Sequence, residues 1–369
     1  MEIEEYIIKK TNGDINYTVV SEVNKSINLA EGKYNKVLFI PATITENGVE
    51  WKIIGVDEDA FKYSWDLAVI MWNPEAVFNG IVNNPNLLLY VKDKSSAPAD
   101  IKNVVVNGSA DEIILKDAES GNNFYCLEAF TAKSVTYEHR YGMKSGLNVC
   151  QGWETIVLPF NVSSITNEDG KELVPYSAWT VGSSQLPFWL YSLSEGGWKP
   201  ATAIKANTPY IICMPNNDYY DAAYNISGKI IFHGENVQIA ASDQLNIGRD
   251  GNHTLVPNFQ NQEQNSNVWA LNVNNEMSRN ADSSLVEGSA FVSNLRPVHP
   301  FEAYMTYEGA AAPLLIPVFG DNEETGIRDV LLRKNTSHAS WYTLDGRKLQ
   351  GHPTQKGLYI INGQKVVIR

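Results

Sequence analysis

The sequence predicts a mainly β protein, on three observations. Short apolar runs recur between turn signals through the middle of the chain, as in Glu112-Ile113-Ile114-Leu115, Thr155-Ile156-Val157-Leu158, Tyr210-Ile211-Ile212-Cys213 and Lys229-Ile230-Ile231-Phe232. None of them grows into a sustained helical period between residues 111 and 320. Asn-Gly and Asp-Gly dipeptides separate apolar runs near both ends, and these accept the positive φ angles of tight hairpin turns. At ~100–200 residues per domain, a chain of 369 residues is expected to hold two or three domains. The divisions fall at 1–110, 111–320 and 321–369.

In the first region the pattern predicts a strand at Tyr6-Ile7-Ile8, a polar turn at Asn12-Gly13-Asp14 and a second strand over the alternating Ile15-Asn16-Tyr17-Thr18-Val19-Val20. An apolar run then ends at Ile40-Pro41. The chain turns at Asn47-Gly48, makes a second apolar run to Val56, and inserts Ala60-Phe61 after the acidic turn Asp57-Glu58-Asp59. Leu67, Ile70 and Trp72 are echoed twenty residues later by Leu87, Tyr90 and Lys92. The next strand is predicted at Asn86–Val91, after a helical or irregular Glu75-Ala76-Val77-Phe78. This pattern of strand, turn and Ala-Phe anchor resembles the leucine-rich repeat of the BspA-like surface proteins of Bacteroidetes. The resemblance implies a short, degenerate leucine-rich-repeat cap of two or three units, of a kind that builds contact surfaces and rarely catalyses. Each unit buries its apolar face against neighbours, so so short a stack needs capping by its flanks.

The middle region reads as β-sandwich-like or barrel-like. Its prolines at Leu158-Pro159 and Thr208-Pro209 sit beside strands, where a missing N–H is tolerated at an edge or strand start. The segment Gly152–Phe160, together with Ala206–Ile212, is similar to a recurring module of exported Bacteroidetes proteins, one that implies no particular activity.

The polar linker Asp321-Asn322-Glu323-Glu324-Thr325-Gly326 opens the last region. Ser340–Leu349 reads as a hairpin turning at Asp345-Gly346, and Gly357–Arg369 as a second one turning at Asn362-Gly363. This tail resembles the C-terminal modules of secreted Bacteroidetes proteins, in which a related tail serves type IX secretion or surface attachment. The resemblance implies an extracellular or outer-surface location. Met1-Glu2-Ile3-Glu4-Glu5 lacks the basic and apolar regions of a signal peptide, so a leader lying outside this chain is expected.

Hydrophobic residues at 43% and charged residues at 19% are ordinary for a folded protein. The net charge of −13 repels nucleic-acid phosphates, which disfavours DNA or RNA as a partner. No run of eighteen apolar residues exists, so no membrane-spanning helix is expected. Cys126, Cys150 and Cys213 are too scattered for a metal site or disulfide framework. They read as buried thiols, with Cys126–Cys150 pairing open if their strands meet.

His139, His233, His253, His299, His338 and His352 include no two placed three to five residues apart, so a zinc helix is absent and each reads as a surface or loop histidine. No G-x-S-x-G elbow, Walker loop or G-x-G-x-x-G occurs. Cys150 precedes Gln151-Gly152-Trp153 without the flanking signature of a cysteine protease. The Asp57–Asp59 cluster lacks calcium-loop spacing and reads as a solvated turn. The expectation is therefore no catalytic residue, metal or cofactor.

The aromatic residues suggest binding. Phe188-Trp189-Leu190-Tyr191 and Trp198 fall in one predicted hairpin turning at Glu195-Gly196-Gly197, with Phe188 and Trp189 assigned to the core. Tyr219, Tyr220 and Tyr224 follow Met214-Pro215 in a polar loop, where their neighbours suggest exposure. Exposed rings stack on sugars and anchor interfaces, so Tyr219, Tyr220, Tyr224 and Trp198 are the expected ligand-binding residues. The leading expectation is a non-enzymatic secreted or surface protein mediating adhesion to a host or matrix protein or glycan. The alternatives are a carbohydrate-binding surface protein and a hydrolase with an unrecognised site.

Overall fold

The computed structural model describes residues 15–98, 101–117, 122–142, 144–145, 151–217, 220–273, 285–319, 341–343, 349, 357–361 and 364–368. The mainly β class holds. The elements of the described residues are strands and two short 3₁₀ turns, Lys94–Ser96 and Tyr176–Ala178. The strand predicted at Tyr6–Ile8, the turn at Asn12–Asp14, Cys150 and the Asp321–Gly326 linker lie outside the described residues.

The chain begins with β1 (Tyr17–Ser21), β2 (Ser26–Leu29), β3 (Lys36–Ile40), β4 (Thr43–Glu46) and β5 (Val49–Val56). Four of these form a sheet in the order β1-β2-β5-β4. Its β4–β5 hairpin turns at Asn47-Gly48, whose φ angles of 52° and 75° match the twist of the flanking strands. The predicted Ala-Phe anchor is buried, with Ala60 and Phe61 in the core beneath this sheet.

Strand β3 instead starts a parallel ladder with β6 (Leu67–Trp72), β7 (Leu88–Val91) and β8 (Val104–Val106). Val37 pairs with Val69, Val69 with Leu88, and Leu89 with Val104, so the spacing shrinks along the ladder. The twenty-residue echo is thus not the pairing register: Trp72 lies beside Val91, not Lys92. The excursions between strands differ in length because one holds the β4–β5 hairpin and another a single 3₁₀ turn. Strand β6 is apolar throughout, as a strand covered on both faces must be. Val69 enters the central core, while Ile70 and Trp72 enter the N-terminal one.

The sheet does not stop at the ladder. After the Asn107-Gly108 turn, β9 (Ser109–Lys116) lies parallel to the long β10 (Phe130–Arg140). Then come β11 (Glu154–Ile156), β12 (Ser164–Asn167), β13 (Glu172–Pro175), β14 (Leu186–Ser194), β15 (Gly197–Pro200), β16 (Tyr210–Cys213) and β17 (Lys229–Ile239). Thirteen strands make one sheet in the order β11-β16-β14-β13-β12-β17-β10-β9-β8-β7-β6-β3, with β15 attached to β14. Residues 110 and 111, where the sequence suggests a division, are consecutive positions inside β9.

A six-stranded sheet follows, from β18 (Gly248–Asp250), β19 (His253–Pro257), β20 (Trp269–Leu271), β21 (Ala290–Ser293), β22 (Ala303–Tyr307) and β23 (Leu315–Pro317), ordered β18-β19-β22-β20-β21-β23. Leu255, Trp269, Leu271, Phe291 and Met305 share a core with Trp153, Trp189, Tyr191 and Ile211 of the large sheet. Both faces of β14 are therefore buried: Phe188 and Leu190 enter the central core, Trp189 and Tyr191 the second one. At the C-terminus β24 (Trp341–Thr343), β25 (Gly357–Ile361) and β26 (Gln364–Ile368) form a three-stranded sheet. Ile361 pairs with Gln364 across the predicted second hairpin, while β24 pairs with β25. The Asp345-Gly346 and Asn362-Gly363 turns lie outside the described residues.

Loops that connect parallel strands carry backbone groups that no ladder satisfies, and buried asparagines take them up. The Asn103 amide accepts from the Ile114 N–H at 2.7 Å and donates to Pro85 O and Ile114 O. Asn86, fully buried, accepts from Lys116 N–H at 2.8 Å and donates to Lys116 O and Asn122 O. Asn84 donates to Leu67 O and Asn123 O. Asn86→Leu, close in volume, would strand both Lys116 backbone groups, so a loss of about 3 kcal/mol is expected in urea unfolding. A loss below about 0.5 kcal/mol would show that water replaces the amide.

Candidate functional site

The expected ligand-binding residues do not form one surface. Tyr219 lies outside the described residues. Tyr220, expected to be exposed, is buried and meets Trp189 edge-on at 5.5 Å between ring centres. Its polar neighbours misled because the six-stranded sheet covers the outer face of β14, which local sequence does not reveal. Tyr224 is partly buried against Trp179, 6.0 Å between ring centres.

Of the three described residues, Trp198 lines an open groove. It stands on β15, opposite Leu193 of β14. Glu195-Gly196 makes the turn, and φ angles of 80° and 94° at Gly196 and Gly197 explain the glycines. Asp250 on β18 accepts a hydrogen bond from the Gly196 N–H at 3.0 Å and pins that turn. The approach of β18 to β14 is close: a Cβ on Gly248 would lie 2.9 Å from Leu193 O. The half-buried Trp198 indole stacks on Phe291 at 6.5 Å and 13°, and tilts against Phe319 at 6.4 Å.

The opposite wall of this groove of about 530 Å³ is β23 and the residues after it, Leu315 to Phe319. The Trp269 indole N–H holds the wall by donating to Pro313 O at 2.8 Å. Leu314 and Leu315 stand out at the edge, 81% and 36% exposed. His253 closes one end, 5.1 Å from the Tyr307 ring. The groove offers the Trp198 and Phe319 rings to an apolar side chain and sets polar atoms of Asp250 and His253 beside them, with one Asp250 oxygen engaged by the turn.

The sequence missed a buried charge cluster. His139 was expected on a surface or loop, yet it sits in β10, two residues beyond Tyr137 on the same inward face. Its Nδ1 lies 2.8 Å from Asp117 and its Nε2 3.1 Å from Glu154. Tyr137 donates its hydroxyl to the same Asp117 oxygen at 2.6 Å, and the Gly142 N–H donates to Glu154 at 3.1 Å. The Tyr141 ring meets the imidazole edge-on at 4.3 Å. Burial alone would lower the His139 pKa, but the charge and hydrogen bonds of Asp117 and Glu154 outweigh it and hold the imidazole well above its ordinary value. A carboxylate within 3.1 Å of each ring nitrogen and the raised pKa both favour the imidazolium form of His139. Each ring nitrogen faces a carboxylate, so the cluster ties β10 to Asp117 after β9 and to Glu154 at the start of β11.

His299 too is buried, not on the surface. It belongs to a tight segment with a second buried pair, in which Arg296 binds Glu302 through two contacts of 2.8 and 3.1 Å. Burial would raise the Glu302 pKa, but Arg296 more than offsets this and lowers it. Phe301 in the same segment adopts φ 68° and places its ring 4.9 Å from Tyr137. Cys126 and Cys213 are buried free thiols, and burial pushes Cys126 up to about 12, far from a reactive thiolate.

A histidine whose folded pKa exceeds the unfolded value stabilises fully below that unfolded value, about 6.5, and the contribution fades as pH rises through the folded one. His139→Gln is therefore expected to destabilise by about 3 kcal/mol at pH 6, through a charge removed from a buried pair. The difference from the unaltered protein should shrink as pH rises in denaturant titrations at pH 6, 8 and 9.5. A difference that grows with pH would contradict the imidazolium assignment. Comparisons of the chain with protein-family models, curated proteins and solved structures find no match.

Proposed function

We propose that this chain is a non-enzymatic interaction protein that works outside the cell or on its outer surface and holds a protein partner in the groove beside Trp198. The observation that carries this reading is an open groove with a pre-stacked aromatic floor and exposed leucines at its edge. A ring already held by Phe291 and Phe319 offers a large contact area with little freedom left to lose on binding. Pro313 and Pro317 remove N–H groups around the edge strand β23. Simple strand addition is therefore disfavoured, and the partner must offer apolar side chains.

The outer-surface placement rests on the resemblance of the tail to secretion-sorting modules. The contact role is also supported by the parallel ladder in the region that resembles leucine-rich repeats.

Biolayer interferometry of the purified chain over immobilised extracellular-matrix proteins tests this reading. Saturable binding to at least one is expected, weakened at least ten-fold by Trp198→Ala at a temperature where circular dichroism shows the variant still folded. Binding indifferent to Trp198→Ala would remove the groove from the account. Turnover of a glycoside or peptide substrate that a point substitution abolishes would overturn the non-enzymatic reading.

A further inference from the structure

A second surface, independent of the Trp198 groove, lies at the other end of the chain. Tyr63 and Trp65 are 49% and 60% exposed, while Phe61 between the acidic turn and Tyr63 is 3% exposed and Ser64 between the two rings is 8% exposed. The alternation is fixed by hydrogen bonds. The Ser64 hydroxyl donates to Gly32 O at 3.1 Å and accepts from Tyr34 N–H at 3.0 Å, and the Ser64 N–H donates to Phe61 O. The Gly32 N–H donates to Ala60 O, tying the two segments together. Two large aromatic side chains are thus held outward on either side of the buried Ser64.

Beside them lies a shallow depression of about 550 Å³, lined by Asn16, Glu31, Gly32, Lys33, Tyr63 and Trp65. Its floor is bare backbone for a steric reason: a Cβ on Gly32 would come within 2.4 Å of the Tyr34 ring. The Tyr34 hydroxyl donates to Ala30 O at 2.9 Å, and the Ala30 N–H donates to Asn16 O at 2.8 Å. The Asn16 amide in turn donates to Glu31 O at 2.8 Å. The depression is thus lined by the two rings together with Asn16, Glu31 and Lys33, and the Lys62 ammonium lies over the Tyr63 ring at 5.7 Å.

We propose that this depression binds a neutral pyranose unit of a glycan, with Trp65 and Tyr63 as the stacking platform. The apolar C–H face of a pyranose matches an exposed aromatic ring, and its ring of hydroxyls needs donors and acceptors together at the edge. Lys33 and Asn16 supply donors, and Glu31 supplies an acceptor. Opposite charges on Glu31 and Lys33 leave the rim without a strong bias, and the overall charge of −13 works against an anionic sugar. The openness of the depression fits one or two sugar units of a longer chain reached from solvent.

The test uses the full chain on an array of defined neutral gluco-, galacto-, manno- and xylo-configured oligosaccharides, followed by calorimetry with the best of them. Saturable binding is expected, weakened at least ten-fold by Trp65→Ala and several-fold by Tyr63→Ala. Both side chains are exposed, so the melting temperature should hold and a folding defect is separable from a lost contact. Trp198→Ala should leave the sugar affinity unchanged, which keeps this inference distinct from the protein-binding groove. The proposal is overturned if no neutral oligosaccharide binds, if only anionic glycans bind, or if binding survives Trp65→Ala.

Discussion

Strand β10 is hydrogen-bonded on both sides along its length, to parallel β9 and antiparallel β17, and the rest of the molecule is arranged around that constraint. Its parallel partner leads into the ladder of β8, β7, β6 and β3. Its antiparallel partner leads to β12, β13 and β14, over which the six-stranded sheet lies. At its end His139 joins the two sides chemically, because Asp117 follows β9 and Glu154 begins β11. Removing the histidine would leave the buried Glu154 and the partly buried Asp117 without their counter-charge, so the contact is costly to break even where its net contribution is modest.

The same junction explains the buried polar segment from Arg296 to Glu302. Phe301 reaches the central core beside Tyr137, and its carbonyl accepts from the Val157 N–H at 2.9 Å. The Ala303 N–H donates to the Thr155 hydroxyl at 3.0 Å. Thus β22 is tied to β11, and the two sheets are connected by directional bonds as well as by apolar contact. The Trp198 groove and the Tyr63–Trp65 depression are each built beside buried residues, Phe291 and Phe319 for the one and Phe61 and Ser64 for the other. A preformed site loses less freedom on binding than a loop that must first be ordered.

Local features of the sequence translated well into structure. The apolar runs at Glu112–Leu115, Tyr210–Cys213 and Lys229–Phe232 lie in β9, β16 and β17, and Asn47-Gly48 turns a hairpin, because period and turn chemistry are properties of neighbouring residues. Non-local facts were not legible. The ladder register depends on the length of each excursion, so an echo of similar residues placed Leu87 and Lys92 one position out of step with their true partners. Tyr220 sits among polar residues and is buried all the same, since its cover comes from a distant sheet. His139 could have been placed by its phase with Val135 and Tyr137, but its carboxylate partners, Asp117 and Glu154, meet it only through the fold. Of the expected binding residues, Trp198 lines an open groove. Tyr63 and Trp65 carry no local signal that separates an outward ring from a core one, because what turns them outward is the bonding of Ser64 to Gly32 and Tyr34, thirty residues away.

The central claim is that one continuous sheet, clamped at β10, makes the repeat-like strands and the β-rich middle a single cooperative unit. Native-state hydrogen exchange, followed residue by residue at rising denaturant, tests it most directly. The account predicts that amides of β6, β7, β9, β10 and β17 converge on one opening free energy and one denaturant dependence. A ladder that opens at lower denaturant, as its own unit, while β10 and β17 stay protected would contradict it.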